Sequence, residues 1–585
     1  MKKIIQKYLV FPAVILVAFQ TGCNKMVDLD PINEISDASF WKNPDQFKLA
    51  ANEFYTYYMT FGNIIYDPPP GGNPSPHADL RGDLIVSRNP YSNGTNTLVA
   101  TDGNWNTAYS RIRSINYLLD KAASYATPND IKQYVAEAKF FRAYIYFDLL
   151  QQFGGVPIID KLLAPDSPEL QAGRNSRDEV ADFIIKNLEE AIADLPLESA
   201  IPSTDKGRVS KGAGQAFLGR VTLYEGTWQK FRNNATRANS LLDKSIANSD
   251  AVITSNLYQL FAPAVLGDSA LKYLFILEDE KSNPAGIQKS ANKEYILANR
   301  YSWSQRRIGN NITHVGGAGG SASRKLADMF LCQDGLPVDK SLVFQGYATT
   351  RSEYLNRDNR MRYTMGIDSN YYWDNENPGS RVTWLGDAAD LANSAGRANN
   401  AGGTGYGTQK WRTERRLNDT EEGYDWPVIR LAEVYLNYAE AVFERNGTIS
   451  DADLDKSLNL VRRRVNTTMP KLTNAFVAAN TLDMRTEIRR ERAIELLLEG
   501  FRVDDLKRWK TAEIEMPMNV LGIKWTGIRW QTRWVVNGNS PYPLDANGNI
   551  IFESSRTWAE KNYLLPIPTQ QIALNPNLTQ NPGWQ

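Results

Sequence analysis

Apolar residues recur at helical spacing through much of the chain. Residues 131–151 place Ile131, Val135, Ala138, Phe141, Ile145 and Leu149 on one face of a helix. A second stripe, Phe140, Tyr144 and Phe147, follows the same segment, and a helix apolar on two faces is sandwiched between neighbours. Ser176 and Glu179 make a capping box ahead of Val180, Phe183, Ile184, Leu188, Ile192 and Leu195, which predicts a helix over 176–195. In 210–225, Gly212, Ala213, Gly214, Ala216 and Gly219 leave little side chain, so another helix can approach closely. Pro427 in the first turn opens a helix over 427–444, carrying Ile429, Ala432, Leu436 and Ala439. The pattern repeats over 453–465 with Leu454, Leu458, Val461 and Val465. Near the start, "ISDASFWKNPDQ" (35–46) predicts a helix beginning at a Ser36 or Asp37 cap, with Phe40 and Trp41 as anchors. Trp41, Trp105 and Trp509 read as core.

Amphipathic helices joined in pairs by short loops predict stacked helix-turn-helix repeats of the tetratricopeptide kind, with a plain helical bundle as the alternative. The fold class expected is mainly α, with large irregular loop regions and a few short strands. Strands are expected at "YLFILE" (273–278) and within "IKWTGIRWQTRWVV" (523–536). Residues 60–104 and 280–425 are rich in Gly, Asn, Pro and aromatics, and loops of that length commonly carry function. The helices read as scaffold and the loops as working face.

Lys2, Lys3 and Lys7, the apolar run Tyr8–Phe19 and the small pair Thr21–Gly22 make the first 22 residues a signal peptide. Twelve apolar residues are too few to span a bilayer as a helix. Cys23 directly after the small pair is a lipobox arrangement and the expected lipidation site, although Gln20 stands where Leu is usual. Several acyl chains would anchor stably where one would not. Lys+Arg and Asp+Glu number 66 each and no basic block occurs, so nucleic acid is not an expected partner. Two His and two Cys cannot build a Cys/His zinc site of usual spacing or a disulfide framework, and neither metal nor cofactor is expected.

At the C-terminus, "NYLLPIPTQQIALNPNLTQNPGW" (562–584) reads as neither helix nor strand. Together with Cys23, it resembles the SusD/RagB family of surface lipoproteins of Bacteroidetes. In the same order come "FW" (40–41), "EAKFFRAYIYFDLLQQFGGVPI" (137–158), "RVSKGAGQAFLGRVTLY" (208–224), "DWPVIRLAEVYLNYAEA" (425–441) and "RRERAIELLLEGFRVDDLKRWK" (489–510). The resemblance implies a lipid-anchored outer-membrane protein facing outward. Such a protein acts as a lid on a SusC-like TonB-dependent transporter and binds oligosaccharides for import. The peptide-binding lid of a RagA/RagB-type complex and a surface glycoside hydrolase are the alternatives. The chain divides into a signal peptide (1–22), a lipidated tether (23–34), an N-terminal helical region (35–260) with the 60–104 loop insertion, and a C-terminal region (261–585). The last carries ligand-facing loops over 280–425 and closing helices over 427–510.

Glu491, Glu495 and Glu499 share a helix face by their spacing, with Arg490, Arg492, Arg502 and Asp505 nearby. Two adjacent carboxylates could serve a glycosidase. A scaffold ion-pair network, reaching Arg430, Glu433 and Glu440, is the reading preferred here, because the motif is shared by relatives with different ligands. Loop aromatics suit a sugar ligand better, since a ring face stacks on the C–H face of a pyranose while polar neighbours bond its hydroxyls. Tyr371, Tyr372 and Trp373 with Asp374, Arg381 and Trp384 offer both functions. Trp303, Tyr66, Arg81, Asp83 and Tyr91 lie in the other loop-rich stretches. Asp545–Asn549 begins like a calcium loop but has Gly548 and Arg556 at the wrong places, so a hairpin turn is expected. "GGAGG" (316–320) lacks the residues of a phosphate loop. The separated His77 and His314 support no catalytic triad.

Overall fold

The computed structural model describes residues 37, 40–64, 75–86, 88–279, 282–309, 321–348, 352–366, 404–413, 421–525, 540 and 542–584. Cys23 and the N-terminal segments, "GGAGG", Tyr66 and the whole Tyr371–Trp384 stretch lie outside the described residues.

The helical periodicities become a stack of paired helices. α1 (Pro44–Phe54) starts from Asn43, whose side chain accepts from the Gln46 N–H while the Gln46 side chain accepts from the Asn43 N–H. That start lies beyond the predicted Ser36 or Asp37 cap. Asp37 is occupied differently, accepting from Trp41 Nε1 and Lys121 Nζ. Trp41 is half-buried and packs edge-on against Phe47 and Tyr117, whereas Trp105 and Trp509 are core as expected.

Five further helices follow in series: α2 (Gly103–Ala123), α3 (Pro128–Phe153), α4 (Arg177–Asp194), α5 (Lys211–Lys230) and α6 (Ala235–Thr254). Each packs on the next, and α6 packs in turn on α7 (Leu431–Asn446). α3 is buried on both stripes, and α4 carries the predicted Ser176/Glu179 capping box. The small residues of α5 let it wedge between its neighbours. A Cβ on Gly214 would stand 2.8 Å from Ile192, and one on Gly219 would stand 2.9 Å from Ser249 Oγ. Beyond α7 come α8 (Asp451–Lys456), α9 (Leu458–Arg463), α10 (Met484–Glu495) and α11 (Arg502–Arg508). None of the described helices is long and apolar enough to cross a membrane.

Several elements differ from expectation. Pro427 is not in a first helical turn but in β2 (Trp426–Arg430), which pairs antiparallel with β1 (Tyr295–Asn299) before α7 begins. A two-stranded sheet leaves outward positions where the missing proline N–H costs no ladder bond. The helix expected over 453–465 is broken at Ser457 (φ −137°, ψ −93°) into α8 and α9. "YLFILE" is no strand: Tyr273 and Leu274 close a short helix and the rest turns through the core. Only the first part of the predicted 523–536 strand is described, as the end of β3 (Val520–Lys524) paired with β4 (Asn549–Glu553). Asp545–Asn549 is the expected turn: Asp545 Oδ1 accepts from the Asn547 and Asn549 N–H groups, and Gly548 supplies a φ of 76°.

The irregular C-terminal stretch is a strap over the end of α3. Leu565 N–H donates to Gln152 O at 2.7 Å, and Asn581 Nδ2 donates to Phe153 O at 3.1 Å. Trp584 is buried, with Nε1 donating to both Lys561 O and Leu564 O. α3 can stop there because Gly154 takes a φ of 76°. The motif text is thus a set of backbone-capping side chains and buried anchors.

Candidate functional site

The densest chemistry lies in the interior. α10 places Glu491 and Glu495 on one face, but the helix ends at Glu495, and Glu499 follows a turn with Leu498 at φ 57° and Gly500 at 82°. The three glutamates still converge. Glu495 accepts from Arg430 at 2.8 Å, from Arg464 and, more distantly, from Arg360 at 3.3 Å. Glu499 bonds Arg430 and Lys410, and Glu491 bonds Arg360 and Arg462. Glu294 and Asp358 complete the set, so five buried carboxylates (with Glu491, Glu495 and Glu499) face five buried cations, namely Lys410, Arg360, Arg430, Arg462 and Arg464. Burial alone would raise the Glu495 pKa, but Arg464, Arg430 and Arg360 outweigh it and hold the carboxyl far below its ordinary range. A glycosidase acid needs the opposite shift. The other expected members pair elsewhere: Glu433 with Arg220, Glu440 with Arg508 and Trp509 Nε1, Arg492 with Asp505, and Arg490 with Glu487.

Above this network sits an aromatic cluster. Phe61 packs on Trp411, Tyr424 and Trp426 at 5.0–5.4 Å and on Tyr301 at 5.9 Å, and Trp411 stacks on Trp426 at 5.3 Å. Tyr301 leads directly into a tight turn closed by mutual backbone bonds between Ser302 and Arg306. Trp303 stands on that turn, 36 % exposed, and is the one tryptophan so exposed among the described residues. The turn is pinned from beneath. Lys289 Nζ donates to Tyr301 O, Gly423 O and Asp425 Oδ1, and Ile308 N–H donates to Glu422 O. Gly423 lies against the Trp303 backbone so closely that a Cβ there would be 2.3 Å from the Trp303 nitrogen.

Beside the turn runs a cleft in two chambers of about 620 and 320 Å³. Both are lined by the 206–208 loop, Ala298 and Arg300. The Arg300 side chain lies over Gly207, which a Cβ would bring within 2.8 Å of Arg300 Cδ, and its Nη1 donates to Lys206 O at 2.7 Å. The larger chamber adds Tyr258, Lys289, Lys293 and Tyr295, and the smaller adds Lys48, Tyr55 and Arg306. Burial pushes the Tyr258 hydroxyl up to about 12, so it is a neutral hydrogen-bonding group. The chamber volumes fall in the range usual for ligand sites, roughly 300–1,000 Å³.

The other described residues named for ligand binding are elsewhere and engaged. Arg81 is buried with its guanidinium 3.6 Å from the Tyr91 ring centroid, and burial lowers its pKa to about 10. Asp83 is buried between Arg502 and Lys325, whose charges overcome desolvation and keep it ionised. The structure therefore does not bring Arg81 or Asp83 to Trp303 as free ligand groups. His77 was missed as an organising residue: buried, it bonds Asp504 through Nδ1 at 2.5 Å and Asp148 through Nε2 at 2.6 Å. Burial would lower its pKa, but Asp504 and Asp148 raise it to about 9. No group of three or more His, Cys, Asp or Glu suited to a metal ion occurs among the described residues.

Residues 276–584 match the SusD family model, and residues 84–223 match a family described as starch-binding associating with outer membrane. The first match spans more than half of the chain, and the chain belongs to the SusD family. It is 27% identical over 313 residues to SusD-like protein P38 of Formosa agariphila, covering 52% of this chain and about half (55%) of that protein. SusD-like protein P2 of the same organism is 24% identical over 600 residues, covering 98% of each chain. A crystal structure of a SusD-like carbohydrate binding protein from Bacteroides fragilis superposes with a TM-score of 0.72 at 23% identity, covering 92% of this chain and 100% of that one. The helical, tetratricopeptide-like architecture is the fold of these proteins.

Proposed function

We propose that this protein is an outer-membrane lipoprotein, anchored through Cys23 and facing outward, that binds oligosaccharides and passes them uncleaved to a SusC-like TonB-dependent transporter. The observation that carries the reading is the pairing of an exposed tryptophan with an open cleft on a scaffold whose own carboxylates are neutralised. Trp303 supplies an apolar ring face at the surface, and the neighbouring turn and cleft supply amide, hydroxyl and guanidinium donors. The SusD family and the carbohydrate binding protein of the same fold support it. The Tyr371–Trp384 residues, outside the described part of the chain, remain by composition a second candidate stacking segment.

Purified protein incubated with a glycan panel should retain one class on affinity gels and release no new reducing ends. Product formation would favour a surface hydrolase instead, and retention of peptides without glycans would favour a peptide lid. Cys23→Ala should release the protein from washed membranes. Persistence of that variant as an integral component would remove the lipobox assignment.

A further inference from the structure

The charge balance of the cleft, taken with the binding role proposed above, points to a narrower ligand class. Most cations along its walls already have a carboxylate, and one further wall carboxylate, Asp279, accepts from the Lys289 N–H. Lys48 pairs with Asp205 at 2.7 Å, Lys206 with Glu198 at 3.1 Å, Arg208 with Glu137 at 2.5 Å and Lys289 with Asp425 at 2.7 Å. Lys293, Arg300 and Arg306 differ. Among the described residues, none of them has a carboxylate within ion-pair distance. Arg300 gives one nitrogen to Lys206 O, and Arg306 gives one nitrogen to Asn299 Oδ1 and Arg300 O, at 2.7–2.8 Å. Among the described residues, their remaining N–H groups have no protein acceptor, and all three residues are exposed.

Their placement is ordered. Lys293 lines the larger chamber, Arg306 the smaller, and Arg300, lying over Gly207, lines both. The Arg306 guanidinium is braced on the Tyr301 ring at 4.6 Å, one residue from the turn that carries Trp303. A guanidinium fork with open N–H groups matches a planar or tetrahedral oxyanion in two-point contact. We propose that the cleft binds an anionic oligosaccharide, with Arg300 and Arg306 taking carboxylate or sulfate groups of the sugar, Lys293 adding a charge at the far end and Trp303 stacking on a ring. A neutral glycan would leave these three charges without a partner along the length of the cleft.

The test uses the purified protein, with titration calorimetry against a galacturonate hexamer, a sulfated galactan hexamer and neutral maltohexaose. The expected result is binding of at least one anionic hexamer, weakened as salt rises from about 50 to about 500 mM. Arg300→Gln combined with Arg306→Gln should weaken that binding by roughly tenfold or more, with only a small drop in melting temperature from the lost bonds to Lys206 O, Asn299 Oδ1 and Arg300 O. Whether uronate or sulfate is preferred identifies the source of the charge. Maltohexaose bound in preference to both anionic probes, or anionic binding indifferent to the double substitution, overturns the anionic assignment and leaves oligosaccharide binding standing. Failure of a folded protein to bind any of the three, or any member of the wider glycan panel, overturns both readings.

Discussion

Two regions of this molecule are rich in charge, and they are built to opposite rules. Under the loops, Glu294, Asp358, Glu491, Glu495 and Glu499 meet Arg360, Arg430, Arg462, Arg464 and Lys410 with every group buried. A charge left unmatched there would be intolerable, because desolvation costs several kcal/mol per ion. In the cleft, Lys293, Arg300 and Arg306 stay in water, where the absence of a partner costs little. Charge density therefore does not mark the working surface of this fold. On the anionic-ligand proposal, unanswered charge does. The buried network joins α10 to β2, the strand preceding α7, and to Glu294 immediately before β1, so it holds the helical stack against the element that carries the cleft.

The largest effect should come from breaking the buried side of this contrast. Glu495→Ala leaves Arg430 and Arg464 short of a carboxylate in a site with no water access, at a cost of about 3–5 kcal/mol. Denaturant titration should show that loss, while ligand affinity of the folded fraction stays near that of the parent. An unchanged melting curve with lost activity on a glycan would reverse the roles of the two regions.

How much of this could be read beforehand depends on the range of the interactions. The helices of the stack were legible because their determinants are local: the Ser176/Glu179 box, the two stripes of α3 and the small face of α5. Elements fixed by a distant partner were not. Pro427 suits a first helical turn as well as an edge strand, and only pairing with β1 decides between them. "YLFILE" is an apolar run too short for periodicity to separate strand from helix. Of the candidate site, Trp303 was recognisable as a loop aromatic. The cleft beside it was not, since the 206–208 loop meets Arg300 only through tertiary packing. Arg81 and Asp83 carried the composition of ligand residues, yet Tyr91 and Arg502 with Lys325 claim them.

A pH experiment separates buried from exposed charge without a ligand. His77 has its pKa raised to about 9, because Asp504 and Asp148 outweigh its desolvation. The folded state therefore binds the proton more tightly than the unfolded state does. Its stabilisation is complete below about pH 6.5 and is lost as pH rises toward about 9. Lys507 acts in the other sense: burial lowers it to about 8, so deprotonation above that pH relieves a cost. Wild-type stability should fall between about pH 6.5 and 8, and His77→Gln should flatten that slope while lowering stability at pH 6. An equal slope in the variant would mean that other groups set it.

Gly423→Ala tests the support of the exposed turn. The added Cβ meets the Trp303 backbone at 2.3 Å, so the turn must shift, at about 1–3 kcal/mol. Glycan affinity should fall as well, whereas the pH slope set by His77 should not change. If affinity is retained despite the shift, the position of Trp303 is unimportant to binding.

Trp303→Ala should have the smallest effect on stability and a clear one on binding. The ring is 36 % exposed, so truncation opens no enclosed cavity, and the melting temperature should stay close to that of wild type. Loss of one anchoring ring from a recognition site costs roughly 1–3 kcal/mol, which is about 5- to 150-fold in affinity. Trp303→Phe keeps a ring face and should recover part of the loss, which a purely steric role would not produce. Trp373→Ala and Trp384→Ala, measured beside it by calorimetry with the same oligosaccharide, apportion the stacking between the two loop segments. A loss only at Trp303 confines recognition to the turn and its cleft, and losses at all three extend it along the loop face. Normal binding by Trp303→Ala with weakened binding by the other two would move the stacking site off this turn, leaving the cleft to recognise charge alone.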